Sequence, residues 1–321
     1  MNTLRAAALA ASLLTILPAG TALAASEGAE IARQKWTFSG LLGHYDQGQL
    51  QRGYKIYTEV CAACHSMSLI KFRNLGDKGG PAFSEPQVKQ LASEADKIAD
   101  TPDEQGKPRR RTRIPSDPFP APYINEQQAR STNNGALPPD LSVIAKARAI
   151  EGSTPWFKEP LHWLTDIATG YQEAGPDYIH AVLTGYGEAP LYLDDGKGHL
   201  VALTKGQSNP KAVACASIDK GQDGKPDQCI ARLKDLHYNA AFPGHQIAMQ
   251  SPLDKDKVKY DDGTPTTLDQ HARDVTAFLM WSADPKLDER KRMGLLVLIY
   301  LAITALLLYF AKKRLWAKLD H

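Results

Sequence analysis

Residues 60 to 67 read VCAACHSM: Cys61 and Cys64 stand three positions apart, and His65 follows directly. Two thiols and an imidazole in this pattern could act as a redox dithiol, as half of a zinc site, or as a covalent attachment point for haem. The chain has four Cys and nine His in 321 residues. At that composition roughly one chain in a thousand would carry C-x-x-C-H by chance, so the motif is read as chemistry and not as accident.

The compartment decides among these chemistries. The chain opens MNTLR, runs through AAALAASLLTILPAG and reaches TALA before ASEGAE. One positive charge, an apolar run broken by Pro18, and small residues at Ala22 and Ala24 predict a secretory signal peptide cut near Ala24–Ala25. A single Arg and little amphipathic character fit a mitochondrial leader poorly. Export across a bacterial inner membrane is expected. There an unmodified C-x-x-C would close as a disulfide or serve as an oxidoreductase. His65 directly behind it favours covalent haem c, with Cys61 and Cys64 forming thioethers to the two vinyl groups and His65 facing the iron. A zinc site would need two further ligands.

At the far end MGLLVLIYLAITALLLYFA, Met293 to Ala311, carries no charge and precedes Lys312, Lys313 and Arg314. Nineteen apolar residues at about 1.5 Å each just cover a hydrocarbon core of roughly 30 Å. Arg290, Lys291 and Arg292 flank the other side, so charge alone does not orient the span, and the signal peptide must. The expected organisation is a signal peptide at 1–24, a periplasmic cytochrome c domain at 25–290, a transmembrane anchor at 291–311 and a cytoplasmic tail at 312–321. The chain would be a single-pass protein of the bacterial inner membrane. Its formal net charge of +2 conceals an acidic exterior. Without Arg5, and without the six basic groups and Asp320 from position 291 onward, 31 basic face 35 acidic side chains, net −4. A mildly acidic face attracts a basic partner. Export excludes nucleic acid as a partner of the Arg109–Arg113 run.

The elements that must position the motif are mainly α. Helical spacing runs over 47–65, 85–99, 141–149, 177–184 and 267–282. The motif's cysteines would then occupy the last turn of the first helix, reaching adjacent edges of a porphyrin. Thr267 with Gln270 makes a capping box for the last helix, and Val275, Phe278, Leu279 and Ser282 give it one buried stripe. Strand signal is sparse. LYLDDGKGHLVAL reads as a hairpin turning at Asp195–Gly196, and GKPRRRTRIPSDPFPAPY as a stiff surface loop. A second iron ligand must come from elsewhere. Met1 leaves with the signal, Met293 lies in the span, and Met67 is too close to His65 to cross the haem plane. Met249, in the loop AFPGHQIAMQSP, and Met280, inside the last helix, remain, with His245 as the bis-histidine rival.

VCAACHSM, NNGALPPDLSVIAKARA, DYIHAVLTGY, FPGHQIAM, YDDGTPTTLDQHARDVTAFLMWSADPKLDERKRMG and the closing KKRLW together make the chain similar to the cytochrome c1 family. Its members are the haem subunits of quinol–cytochrome c reductase (bc1) complexes, and the resemblance runs from roughly Phe38 to Trp316. It implies a mainly α fold: a class I cytochrome c-like haem domain with loop insertions, plus one C-terminal transmembrane helix. It also implies one covalent haem c on Cys61 and Cys64, with His65 and Met249 as axial ligands of the iron. Arg148 would contact a haem propionate, and Asn133, Pro139 and Tyr178 would line the pocket. CASIDKGQDGKPDQC resembles a bacterial insertion bearing a disulfide between Cys215 and Cys229. Closing that loop is worth about 3 kcal/mol in the chain-entropy model. Ala149 to Pro176 is longer than in mitochondrial members, so contacts there do not transfer. The implied partners are cytochrome b, the Rieske iron–sulfur protein, a soluble or membrane-bound cytochrome c, and the lipid bilayer. No general acid or base is expected: the chain would be a redox subunit and not an enzyme on its own. The alternative is a free-standing, membrane-anchored cytochrome c shuttle.

Overall fold

Seven helices follow one another: α1 (Gln47–Glu59), α2 (Glu85–Glu94), α3 (Glu126–Thr132), α4 (Ile144–Ala147), α5 (Ala174–Thr184), α6 (Leu268–Ala283) and α7 (Leu287–Trp316). This computed structural model describes residues 31–100, 102–103, 105–148, 174–194, 200–203, 209–220, 226–230 and 233–317, and the count is made among them. The expected signal peptide and residues 149–173 of the long segment after α4 lie outside that set.

Caps and apolar spacing account for the two principal helices. Asp46 accepts the Gln49 N–H at 2.6 Å to start α1, and buried Leu50, Gly53, Tyr54 and Tyr57 recur along one face. Thr267 accepts the Gln270 N–H at 3.2 Å to start α6, whose Ala272, Val275, Phe278 and Leu279 are buried. The two helices meet backbone to side chain at Gly53. A Cβ there would lie 2.2 Å from the Asp274 carbonyl oxygen and 2.6 Å from Phe278 Cβ, so a residue without one is needed for this approach. Around the crossing Phe278 packs against Tyr54 at 5.8 Å and Tyr57 at 6.0 Å between ring centroids. Burying each such ring contributes roughly 1.5–3 kcal/mol. Arg52 Nε donates to the fully buried Asp274 carboxylate at 2.9 Å, which also accepts from Gln270 Nε2 at 2.8 Å.

α5 lies on α6, and the N-terminal strap closes over both. Asp177 accepts from Trp36 Nε1 at 2.8 Å and from the Gln34 N–H at 3.0 Å. His180 Nε2 lies 3.0 Å from Asp269 Oδ1, whose other oxygen takes Arg273 Nε at 2.8 Å.

Three expectations are corrected. The second helix stops at Glu94, not at 99, because residues 98–100 leave it to form β1 (Ile98–Asp100), antiparallel to β2 (Arg109–Arg111). The Arg-rich segment is therefore partly a strand and is tied down. Arg111 grips Asp117 through Nη1 at 2.6 Å and Nη2 at 2.7 Å, while Arg113, itself buried, donates to the Asp96 and Pro118 carbonyls. The fourth helix begins at Ile144 and not at 141, because Leu141 N–H donates to Ser66 O at 2.8 Å instead of entering a helix. The hairpin forms as β3 (Leu191–Asp194) and β4 (Leu200–Ala202), Leu193 opposite Val201; its turn is outside the described residues. β5 (Val213–Ala214) adds to its edge. β6 (Ser217–Lys220) pairs with β7 (Pro226–Ile230), and β8 (His237–Tyr238) with β9 (Gln246–Ile247).

α7 is 30 residues long with a mean hydropathy of 2.5 in its most apolar stretch, and extends about 45 Å. Among the described residues it is the one helix long and apolar enough to cross a membrane.

Candidate functional site

The C-x-x-C-H motif sits just past the C-terminal end of α1. The expected helix to residue 65 ends at Glu59. Val60 departs from helical geometry (φ −122°, ψ −59°), and Cys61–Ala63 tighten into a 3₁₀ turn. Cys64 N–H and His65 N–H both donate to the Cys61 carbonyl, at 3.1 and 2.9 Å. The turn holds both thiols and the imidazole on one short loop.

Cys61 and Cys64 are not joined to each other, whereas Cys215 and Cys229 are, with S–S 2.05 Å. Burial against the core pushes the Cys61 thiol up to about 12, and Cys64 beside it adds to the rise. The negative end of the α1 dipole faces the same group. A disulfide oxidoreductase needs the opposite setting, a lowered pKa at a helix N-terminus. Nor is a zinc site assembled: among the described residues no three His, Cys, Asp or Glu are grouped to hold a metal. Two unpaired cysteines three residues apart suit addition across two vinyl groups.

His65 is oriented from behind. Its Nδ1 donates to the Pro139 carbonyl at 2.9 Å, which fixes the tautomer and leaves Nε2 with its lone pair for a metal. Burial lowers the imidazole pKa and outweighs Pro139 and Asp140, which raise it, so the neutral ring is favoured. The residues present thus fit a covalently held haem with an imidazole ligand. Tyr57 adds a hydrogen bond to the His65 carbonyl at 3.3 Å.

Asp140 clasps the loop from the other side. It accepts from Ser66 Oγ at 2.8 Å, Ser68 N–H at 2.9 Å and Ser142 N–H at 2.8 Å. Burial raises its pKa, but the hydrogen bonds from Ser142, Ser68 and Ser66 prevail and hold it at about 2. The unfolded value is about 3.9. A depressed carboxylate contributes stability that is complete above the unfolded value and lost as pH falls toward the folded one. Thermal unfolding between pH 4 and pH 2 should therefore steepen with acidification in the wild type and flatten in Asp140→Asn. Equal slopes in the two proteins would show that this clasp does not carry the effect.

Cys64 borders a cavity of about 140 Å³ whose other walls include Ser66, Tyr123, Glu126, Ala129, Leu137 and Pro138. Asn133 Nδ2 donates to Tyr123 Oη at 2.9 Å and steadies that wall. The cavity is smaller than the roughly 300 Å³ of ordinary cofactor sites and suits one edge of a flat apolar ring. Tyr178 lies on α5 with Arg148 within electrostatic reach: burial raises the phenol pKa and the Arg148 charge lowers it.

Met249 is half-buried, and its carbonyl accepts from Tyr186 Oη at 3.0 Å just beyond α5. Asn239, fully buried, holds the same loop. Its Nδ2 donates to the Val182 carbonyl at 2.7 Å, and its Oδ1 accepts from the Ala241 and Phe242 N–H groups. Sequence reasoning did not single out Tyr186 or Asn239. Both act across more than fifty residues, and only the phrase VLTGY at Tyr186 pointed near one of them. Hydrogen bonds thus gather two groups, Cys61 to His65 with Pro139 and Met249 with Tyr186, that share no hydrogen bond among the described residues. Met67 and Met280 are buried in the core cluster, Met280 on α6. His245 has a positive φ of 57°, with Nδ1 3.4 Å from the Asn239 carbonyl oxygen.

Fold and motif define the class: a c-type cytochrome domain carried on one apolar C-terminal helix. A model of the Cytochrome C1 family matches residues 36–319, and the chain belongs to that family. It is 35% identical to cytochrome c1 of Rhodospirillum rubrum over 321 residues, all of both chains. It is 37% identical to the mitochondrial cytochrome c1 heme protein of Saccharomyces cerevisiae over 301 residues, 94% of this chain and 77% of that one. Its 44% identity with the cytochrome b/c1 protein of Bradyrhizobium diazoefficiens covers 283 residues, 88% of this chain but only 35% of that longer protein.

Proposed function

We propose that this chain is the electron-carrying haem c subunit of a bc1-type complex. It would receive one electron at a time from a Rieske iron–sulfur protein and pass it to a soluble or membrane-bound cytochrome c. The carrying observation is the Cys61–His65 turn: two unpaired cysteines followed by an imidazole locked through Pro139. When bound, haem c supplies a one-electron iron couple. Cys61 and Cys64 would tether it, and His65 Nε2 and the Met249 thioether would hold the iron, a neutral donor pair that suits a one-electron couple with little reorganisation. Arg148 offers a fixed cation to a propionate, and Asn133, Pro139 and Tyr178 shape the pocket. Tyr186 and Asn239 hold the Met249 loop against α5, so the second ligand is set by packing and not by the haem alone.

The domain of residues 25–290 stands on the periplasmic side of a bacterial inner membrane, with 1–24 removed as a signal and 312–321 inside. α7 docks against cytochrome b. A relative named cytochrome b/c1, of which this chain spans 35%, supports that pairing. Mild-detergent purification through a tag on this chain should bring down a b-type cytochrome and an iron–sulfur protein, with quinol-driven reduction of the haem. Recovery of the haem chain alone, with no loss of its reduction in the membrane, would point instead to a free-standing shuttle.

A further inference from the structure

Leu41 and Leu42, side by side in a tight turn, are 53% and 75% exposed. The turn is closed by His44 N–H donating to the Thr37 carbonyl at 3.0 Å and Ser39 N–H donating to Trp36 O at 3.2 Å. Gly43 permits it: a Cβ there would lie 1.9 Å from Ser39 O. The leucines are therefore presented by a braced loop and kept out of the core that takes their neighbours Phe38 and Tyr45.

Both ends of this loop are fastened to the start of α7. Lys291 Nζ donates to the Phe38 carbonyl at 2.5 Å and to the Gly43 carbonyl at 3.3 Å. Tyr45 N–H donates to Asp288 Oδ1 at 3.3 Å, and Tyr45 Oη to the Met280 and Asp284 carbonyls at 3.2 Å each. Lys291 stands two positions before Met293, where the uncharged run begins, about 3 Å along the helix axis. A loop held at that height meets the level where lipid headgroups give way to acyl chains. Arg292 follows Lys291 directly in sequence, and a further cation at that level suits headgroup phosphates. Paired exposed apolar side chains with a polar rim mark a contact surface.

We propose that the Ser39–Gly43 loop is a second, interfacial membrane contact, in which Leu41 and Leu42 insert into the lipid boundary beside α7. The proposal rests on α7 spanning the bilayer. The span alone would leave the domain free to tilt about one helix. A second contact point, braced through Lys291 and Tyr45, fixes the height and tilt of the haem domain over the membrane.

The test uses the haem-loaded full chain in phosphatidylcholine–phosphatidylglycerol vesicles doped with a lipid carrying a diazirine high on its acyl chain. After irradiation, adducts are mapped by mass spectrometry. Adducts are expected on the peptide holding Leu41 and Leu42 and on 293–311, and not at the exposed Leu69. The Leu41→Ser/Leu42→Ser double variant should lose the loop adducts and keep those on α7 and the haem absorption spectrum. Adducts on α7 with none on the wild-type loop would overturn the proposal and leave the span standing. Their absence from both would overturn the two together. Loop adducts that persist in the double variant, or protein–protein crosslinks there in their place, would also overturn it, the latter giving the surface to a second copy of the chain.

Discussion

Changing Cys61 and Cys64 to serine together should abolish covalent haem, so that a denaturing gel stained for haem shows no band at the mass of this chain. The expectation is all or none because the structure gives each thiol one task. Neither is paired with the other, unlike Cys215 and Cys229. Burial pushes the Cys61 thiol pKa up, which disfavours a thiolate there. The single variants sharpen the test. Cys64→Ser keeps Cys61, tucked against the core beside Val60 and Ala62, and should retain one thioether and part of the stain. His65 remains in every variant, its ring still fixed by Pro139, so haem can still bind under native conditions and be lost on denaturation. Haem that survives denaturation in the double serine variant would show that the attachment lies elsewhere.

Gly53→Ala tests the packing that holds the motif in place, and its sign is the informative part. In a helix open to solvent, Gly to Ala stabilises by about 1 kcal/mol. Here the added methyl would sit 2.2 Å from the Asp274 carbonyl oxygen, a backbone atom with nowhere to go without separating α1 from α6. Overpacking of this kind costs about 1–3 kcal/mol and occasionally more. The clash exceeds the propensity gain, and the melting temperature of the haem-loaded protein should fall by about 5 °C. Because α1 runs directly into Cys61, the loss should come with weaker haem retention in the Cys64→Ser background. A rise in melting temperature would mean that the two helices do not approach this closely.

These residues also show how far a sequence can be read. α1 and α6 were legible because their apolar spacing, and for α6 the Thr267 cap, are local signals; the Asp46 cap of α1 is evident only in the structure. The apolar run of α7 and the C-x-x-C-H turn were legible for the same reason. The exit from α1 at Val60 was not. Periodicity continues through the motif, but the backbone leaves helical geometry at Val60 and Cys61–Ala63 form a separate 3₁₀ turn. The β1–β2 pair was hidden in RRRTR, where alternating hydrophobicity is absent and the charge pair across the strands is Arg111 with Asp100. Around Met249 the supports are Tyr186 and Asn239, whose bonds end on backbone carbonyls far along the chain. These long-range bonds depend on the completed packing of α5 and leave no short-range pattern, unlike the local bonds from Asn239 to Ala241 and Phe242.

The central claim is a haem c held between His65 and Met249 as an electron carrier. A potentiometric titration of the haem in the wild type and in Met249→Leu tests it most directly. Axial ligation moves haem potentials over about 0.8 V, and a Met opposite a His raises them, so loss of Met249 should lower the midpoint by about a few hundred millivolts. An unchanged midpoint would contradict the account and move the second ligand to His245 or Met280.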